Sequence, residues 1–82
     1  MTDFYVIGDA TDPSFCRIAD TSAIATEMVS WLNNDPDHIG GIFSYVTETV
    51  TDTQLIILYQ HAAQADLANF HHDIAQFGGY IP

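Results

Sequence analysis

Eleven carboxylates, four histidines, one cysteine and one arginine are the side chains here with chemistry to offer. A helical metal site needs ligands three or four residues apart on one face. His61 and His72 stand about 16 Å apart along a helix rising about 1.5 Å per residue. His71 and His72 diverge by about 100°. Neither His71 nor His72 has a His, Asp or Glu at helical spacing on its own face, so the three read as a solvated helix face. Asp35, Asp37 and His38, like Asp9 with Asp12, supply too few ordered oxygens for a calcium loop. Cys16 has no nucleophile motif around it and is expected to be a buried, inert thiol. The chain lacks a Gly-x-Ser-x-Gly turn, a phosphate-binding glycine loop and a dinucleotide fingerprint. No catalytic residue, cofactor or metal is expected, and an enzyme is not the reading these residues favour.

The charge balance is more informative. Eleven acidic residues are an ordinary load, but one Arg and no Lys leave a net charge of −10. The excess comes from missing cations. Such a chain repels nucleic acid and anionic membranes, and it is steered toward basic protein surfaces. The plainer explanation is solubility or a salt-adapted lineage. At 48% hydrophobic and 12% aromatic the chain is too apolar for a disordered acidic tail, and its 82 residues suffice for one small domain. A lone cysteine excludes an intrachain disulfide and fits a cytoplasmic setting. No charged segment followed by a long apolar run opens the chain, so no signal peptide is expected. The longest apolar run, residues 55–59, is far short of a membrane span.

The elements that would position these groups follow from periodicity. Residues 4–7 are apolar on both alternating sets, as in a central strand. Turn chemistry around Asp9, Asp12 and Pro13 precedes a second extended run over 15–18, giving a β-hairpin with a long acidic tip. Asp20 or Thr21 caps a first helix whose apolar stripe is Ile24, Met28, Trp31 and Leu32. A loop over 35–41 leads to a third strand over 42–49, rich in β-branched and aromatic residues. A short helix starting at Asp35 is the rival there, disfavoured by paired glycines and threonines. Thr51 and Gln54 have capping-box spacing, with Val50 and Leu55 placed as a hydrophobic staple. They open one long helix over 52–77, its stripe running through Tyr59, Ala63, Leu67, Phe70, Ile74 and Phe77. Gly78 stops it, and residues 79–82 are expected to lie back on the domain. The fold class is α+β: a small ββαβα domain, a three-stranded, mainly antiparallel sheet with two helices packed on one face.

Connection rules gather Asp9, Asp12, Asp35 and Asp37 at the hairpin end of this fold, near Asp73. Asp3, Asp20, Glu48 and Asp52 collect at the other end, where helix N-termini account for Asp20 and Asp52. One sheet face carries Cys16, Ile18, Ile42 and Val46, and the other Phe15, Arg17, Phe43 and Tyr45. With the first set assigned to the helices, Phe43 and Tyr45 are expected to face away as an interface. The leading expectation is a small acidic inhibitor that docks on a basic, nucleic-acid-binding protein or complex. It would mimic nucleic acid as phage anti-defence proteins such as anti-CRISPR proteins do, an analogy of size and charge. Asp9, Asp12, Asp35, Asp37, Asp73, Phe43 and Tyr45 are its candidate contacts, with no direct nucleic acid or membrane binding. The alternative is a homodimeric structural or adaptor domain using the sheet face and the apolar start of the long helix.

Overall fold

In the computed structural model, which describes residues 1–34 and 41–76, three strands and two helices follow in the order ββαβα. Strand β1 (Thr2–Asp9) pairs antiparallel with β2 (Asp12–Ala19) and with β3 (Phe43–Val50), giving the sheet order β2-β1-β3. Helix α1 (Ser22–Asn34) links β2 to β3, and α2 (Thr53–Gln76) follows β3. The apolar run at 4–7 therefore does form the central strand. Residues 35–40 and 77–82, which hold the expected loop, helix stop and tail, lie outside the described residues.

Opposed residues of an antiparallel pair share a face. Ile7 opposes Tyr45 and Arg17, and Asp9 opposes Phe43. On this face sits the main core, where Ile7, Ala19 and Phe43 pack with Ala25, Met28, Trp31 and Leu32 of α1 and Phe70 of α2. Phe4 opposes Glu48, and Thr2 opposes Val50, on the other face. Phe4 is only 1% exposed there, its ring 5.2 Å from that of Tyr59. Burying Phe4 and Ile7 contributes about 1.5 to 3 kcal/mol each.

Helix α2 thus begins on one face and finishes on the other. Tyr59 meets the Phe4 face, Asp66 meets the outer edge of β2, and Phe70 enters the core beneath α1, its ring 5.9 Å from Trp31. The two helices are not confined to one face, because a helix of about 36 Å overruns a three-stranded sheet and wraps its edge.

The strand alternation sorts residues as expected but with the faces exchanged. Phe43 is 4% exposed in the core under α1, with Phe15 packed edge-on against it at 5.1 Å, while Val46 is 64% exposed. Tyr45 lies on this same face, edge-on to Tyr5 and partly exposed. Phe43 therefore does not face away from the helices. Both residue sets are apolar, so alternation says which residues travel together and not which set the helices cover.

The hairpin tip is also tighter than expected. Only Ala10 and Thr11 separate the strands, and β2 already starts at Asp12 with Pro13 inside it. Pro13 is tolerated because β2 is an edge strand. For α1 the cap is Thr21, whose Oγ1 accepts from the Ile24 amide at 3.2 Å. For α2 the cap is Asp52 and not Thr51. The Asp52 Oδ1 accepts from the amides of Gln54 and Leu55, and its carbonyl accepts from Ile56. A carboxylate complements the helix N-terminus better than a hydroxyl, and the register moves by one residue, so the Thr51–Gln54 box does not form.

Candidate protein-docking surface

At the hairpin end, Asp9 and Asp12 each hold a turn. The Asp9 Oδ1 accepts from the Thr11 amide at 2.8 Å, the Thr11 hydroxyl at 2.7 Å and the Ile42 amide at 3.0 Å. One carboxylate oxygen thereby ties the hairpin tip to the start of β3. The Asp12 Oδ1 accepts from the amide and hydroxyl of Ser14, at 3.0 and 2.6 Å. Asp12 is exposed and Asp9 half-buried. Asp35 and Asp37 lie outside the described residues.

The far-end carboxylates are similarly occupied. Asp3 accepts from the Thr49 hydroxyl at 2.6 Å, Asp52 caps α2, and Glu48 accepts from the Tyr59 phenol at 2.9 Å. That bond, together with desolvation and the negative charge of Glu48, raises the Tyr59 pKa above its ordinary value. Asp20 and Glu27 are exposed.

The chain's one cation is turned onto its own backbone and rings. Arg17 donates to the Cys16 carbonyl at 2.8 Å, and its guanidinium lies 4.6 Å from the centre of the Phe15 ring. A single basic side chain against eleven carboxylates leaves the surface strongly negative.

Asp73 stands on the second half of α2. It lines a cavity of about 230 Å³ between α1 and the second half of α2, over β2, with Phe15, Arg17, Met28, Trp31, Leu32, Asp66, Asn69 and Phe70. Asp66, Asn69, Phe70 and Asp73 fall on one helix face at spacings of three, four and seven. Reading the sequence for clustered carboxylates passes over Asp66, since it is alone among its neighbours. The signal was available in that spacing, a polar flank beside the apolar stripe.

Apolar side chains are also left open. At the start of α2, Leu55 and Ile57 are each 47% exposed and Leu58 61% exposed. Val50, the expected staple partner of Leu55, is buried. Tyr45, Val46 and Ile42 are exposed along the third strand and its approach.

Cys16 is exposed, contrary to the expectation of a buried thiol, because it sits on the sheet face that α2 covers only in part. His61, His71 and His72 are exposed on α2. Among the described residues no three His, Cys, Asp or Glu side chains are grouped as a metal site requires. No helix among them is long and apolar enough to cross a membrane. No protein-family model, curated protein or solved structure matches the chain.

Proposed function

We propose that this chain is a cytoplasmic protein-binding inhibitor that docks its carboxylates on a basic, nucleic-acid-binding protein surface and so excludes nucleic acid from it. The observation that carries this reading is the uncompensated surface, with a net charge of −10 and Arg17 folded against Cys16 and Phe15. Carboxylates that keep one oxygen in a local turn, as Asp12 does, are held in place and can present the other to Lys or Arg. Charge-assisted bonds of that kind are shorter and about twice as strong as neutral ones. The test is binding to a purified basic nucleic-acid-binding protein across a salt series, with nucleic acid as competitor. Affinity should fall steeply with salt, and nucleic acid should displace the chain. Binding that ignores salt, or a ternary complex with nucleic acid still in place, would defeat the reading.

The exposed Leu55, Ile57, Leu58 and Val46 favour a second reading, a homodimeric adaptor domain whose charge serves solubility. Its signature is salt-tolerant self-association, read by sedimentation, that Leu58→Asp abolishes.

A further inference from the structure

We propose that the cavity between α1 and α2 is an anchor site for a single arginine side chain of the docking partner. This rests on the docking reading above and names the contact that would fix its register. The cavity holds about 230 Å³, below the roughly 300 to 1,000 Å³ of small-molecule pockets. It has room for one side chain rather than a cofactor.

Its lining sets the chemistry. Phe15, Met28, Trp31, Leu32 and Phe70 form apolar and aromatic walls, and Asp66 and Asp73 bring two carboxylates. Asp66 and Asp73 stand two helical turns, about 10.5 Å along the axis, apart on α2, with Asn69 and Phe70 between them. The Asp66 Oδ2 accepts from the Ile18 amide at 2.8 Å, which fixes that side chain and leaves its second oxygen available. Asp73 is half-buried and makes no hydrogen bond or ion pair among the described residues. The nearby guanidinium of Arg17 lies on Phe15 and the Cys16 carbonyl instead of on either carboxylate.

A wall of aromatic rings beside an unpaired carboxylate selects a flat organic cation. Guanidinium stacks on rings and forks onto carboxylates, whereas ammonium is a compact, strongly hydrated point charge. Arg17, 4.6 Å from the Phe15 ring centre, is a guanidinium held against an aromatic ring at this rim. The apolar floor would take the aliphatic stem of the incoming residue. The surrounding charge of the whole chain draws such a side chain in.

Trp31 is the only tryptophan of the chain and lines the cavity, so its emission reports occupancy. The probes are the blocked tripeptides Gly-Arg-Gly, Gly-Lys-Gly and Gly-citrulline-Gly, the last keeping the shape of arginine without its charge. The arginine peptide should shift Trp31 emission saturably, the lysine peptide more weakly, and the citrulline peptide not at all. Amide shifts in the NMR spectrum should centre on Phe15, Trp31, Phe70 and Asp73. Asp73→Asn should weaken the arginine response at least about tenfold, and Asp20→Asn, exposed and outside the cavity, should leave it unchanged. Equal responses to arginine and citrulline, shifts spread over the exposed carboxylates, or an unaffected Asp73→Asn variant would overturn the inference. So would a Trp31 emission that changes with protein concentration alone, which would place a second copy in the cavity. If the peptide fails while the chain still competes with nucleic acid for a basic protein, this inference falls and the docking reading stands. If the peptide binds and no basic protein competes, the docking reading falls, and the cavity stands as an arginine site without a nucleic-acid-binding partner.

Discussion

Asp52 and Thr51 make a direct test of how single side chains shape this domain. Asp52→Ala removes the α2 cap and should cost about 1 kcal/mol, seen as a lower melting temperature. Thr51→Ala should leave melting unchanged, since Thr51 makes no capping bond. Gly41 is constrained by its neighbour, because a β-carbon there would meet the Phe43 ring at 2.5 Å. Phe43 is buried and cannot swing aside, so Gly41→Ala should destabilise by about 1 to 3 kcal/mol. Tyr59 gives a pH signature. Its protonated phenol is stabilised in the fold by the bond to Glu48. An acid whose pKa is raised by folding contributes stability that is complete below its unfolded pKa, about 10 for tyrosine, and is lost as pH rises through the folded pKa. In alkaline absorbance titrations Glu48→Gln should bring one tyrosinate transition to lower pH, and no change would show the bond is absent in solution.

Among the elements, each outer strand of the sheet is tied at one residue by a helix side chain. On β3 the Asn33 amide pairs with both backbone groups of Phe43, accepting at 3.0 Å and donating at 3.2 Å. On β2 the Asp66 carboxylate takes the Ile18 amide at 2.8 Å. Exposed edges template unwanted pairing, so these contacts hold the helices against the sheet and blunt its ends together. Asn33→Ala leaves a strand-edge amide and carbonyl without their partner and should cost about 1 to 3 kcal/mol. Hydrogen exchange should quicken first at Phe43, and an unchanged Phe43 rate would show that the amide contributes little. The order of elements and the extents of β3 and α2 were readable from periodicity and turn residues. The wrapping of α2 was not, because a helix stripe records that a face is buried and is silent about which partner buries each turn.

For the molecule as a whole, the charge distribution separates a docking role from mere solubility. The comparison is Asp35→Asn with Asp37→Asn against Asp20→Asn with Asp52→Asn, each pair measured for melting and for affinity across salt. A docking role for Asp35 and Asp37 predicts that the first pair weakens partner binding and flattens its salt dependence with little change in melting. The second pair should lower melting, chiefly through the Asp52 cap, and leave affinity nearly unchanged. A partner arginine held and desolvated by a carboxylate would cost about 2 to 5 kcal/mol on truncation of that carboxylate. Affinity indifferent to both pairs would leave the charge as a solvated coat.

Composition and local spacing alone were enough for the α+β class, the central position of β1, the long second helix and the sign of the surface, since each depends on neighbours within a few residues. The same spacing grouped Phe15 with Phe43 and Ile18 with Val46. Which group faced α1 was a tertiary outcome: both were apolar enough to be buried, and the packing of Phe43 against Trp31 and Met28 broke the tie. The cavity is tertiary for a further reason. Its walls come from β2, α1 and α2, segments up to 58 positions apart from Phe15 to Asp73, and no short-range pattern couples residues across that distance. Connection order alone put Asp73 toward the hairpin end of the fold, whereas only the packing of α2 along β2 brought it into one cavity with Phe15 and Arg17.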